Sequence, residues 1–178
     1  MPIAPQIQDL GALIENVPDF PKPGIVFKDI TPLLGDPAGL SLAVELITQP
    51  FRSQSVCKVI GAESRGFIFG TAVARNLSAG FIPIRKPGKL PRKTISEDYE
   101  LEYGTDRMEI HQDAISKGDR ILLVDDLLAT GGTIEACCRL VESLGGAIVG
   151  VAFLIELAFL KGRDRISQYP VHSVLRYE

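Results

Sequence analysis

Ile121 to Thr133 reads I-L-L-V-D-D-L-L-A-T-G-G-T. Four consecutive aliphatic residues, Ile121 to Val124, suit a strand buried on both faces. Two acids, Asp125 and Asp126, follow directly, and Ala129-Thr130-Gly131-Gly132-Thr133 makes a loop of small residues. Ile134, Cys137, Cys138, Val141 and Leu144 then recur at a helical period, with Gly145 at the expected C-terminal stop. Strand, acidic pair, glycine loop and helix together predict an anion site. Loop amides and the helix N-terminus converge there, and glycine lets the backbone approach closely. Two motifs of this shape are absent. A P-loop needs G-x-x-x-x-G-K-S/T, and no lysine stands in this loop; the dinucleotide pattern G-x-G-x-x-G is also missing. What is left is a phosphate cradle preceded by two carboxylates. Such carboxylates accept hydrogen bonds from sugar hydroxyls or hold a magnesium ion. A phosphorylated sugar satisfies both halves.

The rest of the chain is consistent with one globular domain. It has 178 residues, 46% hydrophobic and 23% charged, enough for a sizeable core. A net charge of -3 exerts no pull toward nucleic acid or a membrane surface. No apolar run reaches transmembrane length, and the N-terminus lacks a basic n-region and signal core. A cytoplasmic location, with no membrane or nucleic-acid partner, is therefore expected. Cys137 and Cys138 are adjacent on an apolar helix stripe, which is not zinc-site spacing. They are expected in the core, as is Cys57 at a strand start.

Ile7, Leu10, Ile14 and Val17 predict an amphipathic first helix, weakened by Gly11. Prolines 18, 21 and 23 then forbid a regular element. Ile25 to Ile30 reads as a short extended piece, turned by Thr31-Pro32. It has the makings of a lid over a flat apolar ligand. Asp36-Pro37 starts a helix whose buried face is Leu40, Val44 and Ile47. Val59-Ile60-Gly61 is a strand, Glu63-Ser64-Arg65-Gly66 a turn, and Phe67 to Leu77 a helix. This second strand–turn–helix presents further amides and an arginine at a helix N-terminus. Phe81 to Ile84, Ala147 to Leu157 and Val171 to Tyr177 are further strands, with a short helical piece at Leu160 to Arg163. Unbroken apolar strands alternating with helices predict a parallel α/β sheet.

Arg85-Lys86-Pro87-Gly88-Lys89-Leu90-Pro91-Arg92-Lys93 is the one strongly basic run. Prolines and glycine make it a loop, and five clustered cations suit a polyphosphate. Tyr99, Leu101 and Tyr103 alternate with acids as in a hairpin arm, and Met108 to His111 continues in a second extended run. His111 and His172 belong to no ligand cluster and carry no predicted role.

The Ile121–Thr133 stretch resembles the phosphoribosyl pyrophosphate (PRPP) signature of the type I phosphoribosyltransferases. Other stretches, in one order along nearly the whole chain, resemble the adenine phosphoribosyltransferase family. These are Phe20 to Gly24 with Val26 to Ile30, Glu63 to Phe67, and Arg85 to Pro91. Leu101-Glu102-Tyr103-Gly104, Glu156-Leu157 and Leu160 to Arg163 complete the set. Lys28 stands where many relatives carry arginine, but the family uses that residue's backbone.

The resemblance implies a type I α/β core of about residues 35–178. It adds a small N-terminal hood of about 1–34 and a flexible loop of about 85–105, all in one domain. It implies transfer of the 5-phosphoribosyl group from PRPP to adenine, giving AMP and pyrophosphate, with Mg2+ as cofactor. Asp125 and Asp126 would hold the ribose hydroxyls, and Ala129, Thr130, Gly131, Gly132 and Thr133 the 5′-phosphate. Glu63, Ser64, Arg85 and Lys89 would serve pyrophosphate. Catalysis would fall to Glu102, placed at adenine N7, with Arg65 and Lys86. Val26, Phe27, Lys28 and Leu157 would hold the base. Magnesium would be bound by PRPP and water, near Asp125, with no direct protein ligand. A cis Glu63–Ser64 peptide and a homodimer sharing Arg85 between sites are also implied. A phosphoribosyltransferase for another base and a non-catalytic PRPP sensor are the alternatives.

Overall fold

The computed structural model describes residues 7–100 and 105–178. They fall into two compact units, one ending at Leu46 and one beginning at Ile47.

The first unit opens with α1 (Ile7–Ala12), followed by β1 (Glu15–Pro18) and β2 (Val26–Asp29), paired antiparallel from Glu15↔Asp29 to Pro18↔Val26. The helix expected to reach Val17 therefore stops at Ala12, and Val17 lies in β1. Gly11 weakens the last turn, and Pro18 drives the residue before it out of the helical region. Between the strands the proline-rich stretch is irregular, with a cis Phe20–Pro21 peptide and Asp19 Oδ1 accepting the Gly24 amide at 2.8 Å. Phe20 stands edge-on to Phe27 at 5.1 Å. The Asp29 carboxylate takes the Thr31 amide and hydroxyl at 2.9 and 2.8 Å, turning the chain into α2 (Thr31–Gly35). Asp36 caps α3 (Pro37–Thr48) by accepting the Gly39 amide at 2.6 Å.

The second unit is built on five strands. These are β3 (Lys58–Ala62), β4 (Gly80–Ile84), β7 (Arg120–Leu128), β8 (Ala147–Leu157) and β9 (Val171–Tyr177). They lie in the order β4-β3-β7-β8-β9, every neighbouring pair parallel. Ile121 to Val124 and Val151 to Ile155 are fully buried, as apolar runs covered on both faces must be. α4 (Gly66–Asn76) carries the chain from β3 outward to β4. α5 (Gly132–Ser143) carries it from β7 the other way, to β8. Right-handed crossovers running in opposite directions put these helices on opposite faces. The carboxyl ends of β3 and β7 thus flank a topological switch point, where open α/β sheets bind ligands.

Outside this sheet, β5 (Thr94–Glu100) and β6 (Thr105–His111) form an antiparallel hairpin. Met108 and Ile110 are fully buried and Tyr99 nearly so, in one cluster with Ile60, Leu123 and Leu140. Within the stretch read as a flexible loop, residues 94–100 are therefore strand, packed on α5. Residues 101–104, which include Glu102, lie outside the described residues. Cys137 and Cys138 are buried in α5, with thiols pushed up by burial, Cys138 to about 12. Cys57 departs from expectation and is exposed. It stands one residue before β3, beyond the covered part of the sheet, where its Sγ takes the Arg120 amide at 3.2 Å.

Candidate active site

β7 does not stop at Val124 but continues through both acids to Leu128. Its pairing with β3 ends at Gly61↔Val124, while pairing with β8 continues to Leu128↔Glu156. One edge of β7 is therefore open from Asp125 onward, because β3 has already turned into Glu63-Ser64-Arg65. A cavity of about 250 Å³ fills the opening, lined by that turn and by the chain from Asp125 to Ile134. Glu63, Ser64, Arg65, Asp125, Asp126 and Ala129 to Thr133 thus meet at one site.

The loop enters α5 earlier than its glycines suggest, at Gly132, with Gly131 as a left-handed cap (φ 85). The loop and the first residues of α5, Ala129 to Ile134, line the cavity, so a helix N-terminus borders it, an arrangement suited to an anion. Opposite, the Glu63–Ser64 peptide is cis, as the resemblance implies.

The acids are placed at a cost. Asp126 is buried and Asp125 half-buried, with Asp125 Oδ1 accepting the Asp126 amide at 2.9 Å. Burial, then the neighbouring Asp126 charge, pushes the Asp125 carboxyl well above the usual carboxylate range. Burial also raises Asp126, against the pull of Arg65, whose Nε lies 3.0 Å from Asp126 Oδ2. That contact is ionic without hydrogen-bond alignment, leaving Oδ2 short of a well-aimed donor. Two adjacent acids held this way call for hydroxyl donors or a cation. A hard, oxygen-seeking ion such as magnesium fits Asp125, whose partner is already engaged by Arg65. Among the described residues no three His, Cys, Asp or Glu side chains gather as a complete metal ligand set.

The basic loop reaches the cavity through Glu63. Its carboxylate accepts Lys89 Nζ at 2.5 Å, the Lys86 amide at 2.9 Å and Arg85 Nε at 3.2 Å. Burial pushes Glu63 upward, but these donors, Lys89 foremost, outweigh it and hold the group at about 2. Arg85 also lies over the Phe67 ring, 6.0 Å from its centroid. The Lys86 side chain turns away from the cavity to Asp106 and the Tyr99 hydroxyl. Burial lowers the Lys86 pKa, but these two partners raise it above its ordinary value. Val26, Phe27 and Lys28 lie on β2 of the first unit, Val26 exposed and Lys28 Nζ 2.6 Å from Asn16 Oδ1. Leu157 ends β8 in the second unit.

A family profile described as "Phosphoribosyl transferase domain" matches residues 33–175. The adenine phosphoribosyltransferase of Nitrosococcus oceani is 56% identical over 171 residues, spanning 96% of this chain and all of that protein. The chain belongs to the adenine phosphoribosyltransferase family. The crystal structure of the Rhodothermus marinus enzyme of that name matches with a TM-score of 0.92 at 57% identity, over 96% and 98% of the two chains. The Saccharomyces cerevisiae adenine phosphoribosyltransferase was solved with an imino-altritol bisphosphate and adenine. It matches with a TM-score of 0.89 at 37% identity, over 94% of this chain and 97% of that one.

Asp106 and Tyr99, the partners of Lys86, carry no local signal, because the contacts are made 20 and 13 residues apart. Glu156, buried and ion-paired with Arg163, is the one acid in the eleven-residue apolar strand β8, and both residues stand in stretches that carry the family resemblance.

Proposed function

We propose that this chain transfers the 5-phosphoribosyl group from PRPP to adenine, releasing pyrophosphate and forming AMP. The observation that carries the reading is the cavity itself. It joins an amide cradle, a pair of acids with raised pKa and a cation-bearing turn at the switch point of a chain belonging to this family. The amides of Ala129 to Thr133 suit the 5′-phosphate. Asp125 and Asp126 suit the two ribose hydroxyls, whose donated hydrogen bonds favour the charged carboxylates.

Bond breaking at C1′ leaves an oxocarbenium-like ribose and a diphosphate. Negative charge from Asp125 and Asp126 favours the first, and Arg65 with the basic-loop cations favours the second. Magnesium bound by PRPP oxygens and water near Asp125 would add positive charge beside the leaving group. Arg85 and Lys89 approach the cavity rim through Glu63, and Lys86 joins them by leaving Asp106. The reading places adenine against the backbone of Val26 and Lys28, beside Phe27 and Leu157, with residues up to about 34 forming the hood. Glu102 would carry the proton at N7. It further takes the enzyme as a cytoplasmic homodimer. Three free cysteines suit a reducing compartment, and no helix among the described residues is long and apolar enough to cross a membrane.

The test is a panel of purine and pyrimidine bases with PRPP and magnesium, followed for nucleotide formation. Adenine is expected to give AMP and the others little. PRPP binding without nucleotide from any base would mean a sensor, and turnover of another base alone would mean a different transferase. For the proton carrier, Glu102→Gln should lose roughly 100-fold in turnover with PRPP affinity little changed, while Glu100→Gln stays near normal. Parent rates for both variants across the neutral range would remove Glu102 from the mechanism.

A further inference from the structure

Gly131 and Gly162 face each other across a gap that admits no side chain. A Cβ built on Gly131 would stand 2.5 Å from the Gly162 carbonyl oxygen. One built on Gly162 would clash with the Ala129 carbonyl and stand 2.9 Å from the Gly131 amide nitrogen. The back of the phosphate cradle is therefore pressed, backbone to backbone, against a turn some thirty residues further along the chain.

That turn is itself held on several sides. It follows Lys161 in a left-handed conformation (φ 54) and continues as a 3-10 helix, Gly162–Ile166. Arg163 Nε donates to Glu156 Oε1 at 3.0 Å, and a second guanidinium nitrogen donates to Glu156 Oε2. The remaining one donates to the Val171 carbonyl at 3.0 Å. Ser173 Oγ donates to Glu156 Oε2 at 2.7 Å, and Glu156 is only 3% exposed. Arg163 thus ties the turn to the ends of β8 and β9. On its other side Arg165 donates to Glu135 in the first turn of α5 at 3.1 Å, and Ile166 is fully buried in the core. Of these contacts none enters the cavity, yet all of them bear on the segment that its anion-binding amides lean on.

We propose that the Gly162 turn, anchored by Arg163, is the backing that sets the cradle amides for the 5′-phosphate, making Gly162 and Arg163 positioning residues. The inference rests on the phosphoribosyl reading above. An amide cradle binds tightly only when its donors are already aimed, and displacements of an ångström are costly. A methyl group on Gly162 must push Ala129 or Gly131 off its place. Lysine at position 163 keeps the charge but cannot fork onto Glu156 and Val171 together.

The experiment is calorimetry on the full chain with magnesium, using two probes: ribose 5-phosphate for the cradle and inorganic pyrophosphate for the Glu63-Ser64-Arg65 side. Gly162→Ala should weaken ribose 5-phosphate by about tenfold or more while pyrophosphate binding stays within about twofold. Arg163→Lys should do the same in smaller measure. Circular dichroism and melting identify folded variants. If Gly162→Ala does not fold, Arg163→Lys decides by the same comparison. A folded variant with unchanged ribose 5-phosphate affinity, or with equal loss of both probes, overturns the positioning role and leaves the phosphoribosyl reading standing. A parent protein that binds neither probe nor PRPP takes both down together.

Discussion

Asp125 is the residue where binding and stability pull in opposite directions. Its carboxyl sits in the cavity wall with its pKa raised, first by burial and then by Asp126. For a group raised in the folded state, the stabilising contribution is complete below the unfolded value and disappears as pH rises through the folded value. Near neutrality the ligand-free fold therefore carries the burden of this acid. Asp125→Asn should raise the melting temperature at pH 7 more than at pH 4, and should weaken PRPP binding. Differential scanning at both pH values with a PRPP titration checks it, and a variant less stable at pH 7 would refute the sign. Thr130 stands at the exposed lip of the cradle. Thr130→Glu should abolish PRPP binding with the fold retained, because a fixed negative charge repels the phosphate; unchanged calorimetric affinity would remove Thr130 from the cradle.

Among the elements, the basic loop depends on Glu63. A carboxylate held at about 2, against an ordinary value of 4.5, contributes stability that is complete above the unfolded value. The contribution is lost as pH falls from there toward about 2. Glu63→Gln should therefore melt below the parent by a constant margin above pH 5, and the margin should shrink on acidification. A margin that grows toward low pH would contradict the assignment. Most elements here were legible in advance, for a plain reason. Strands buried on both faces must be apolar throughout, so β7 and β8 announce themselves, and the glycine loop marks the cradle. Residues 14 to 17 were misread because a helical period and a short strand present the same few apolar positions, and only pairing with β2 decides between them. Cys57 was misread because burial ends abruptly at a strand's edge. The pairing of Lys86 with Asp106 was illegible because it is made by tertiary placement, not by spacing.

At the scale of the whole molecule, β8 lies between β7 and β9 with Val151 to Ile155 fully buried. Phe153, fully buried in the central sheet, should cost about 3–5 kcal/mol when cut to alanine, read as a shift in denaturant midpoint. Assembly is a separate matter. α4 leaves Ile68 40% exposed, and Arg85 lies against Phe67 of the same helix. Light scattering on active enzyme should give twice the chain mass, and a fully active monomer at assay concentration would refute a shared site.

Four of the five loop cations already answer to carboxylates of their own chain: Arg85 and Lys89 to Glu63, Lys86 to Asp106, Arg92 to Asp113. An entering anion must therefore exchange partners with these acids instead of meeting bare charge. A small monovalent ion brings too little attraction to dislodge a carboxylate that is tethered close by, whereas a diphosphate brings several charges on one molecule and can displace more than one. The loop should therefore discriminate by valence, its ion pairs yielding to a polyphosphate more readily than to ordinary salt.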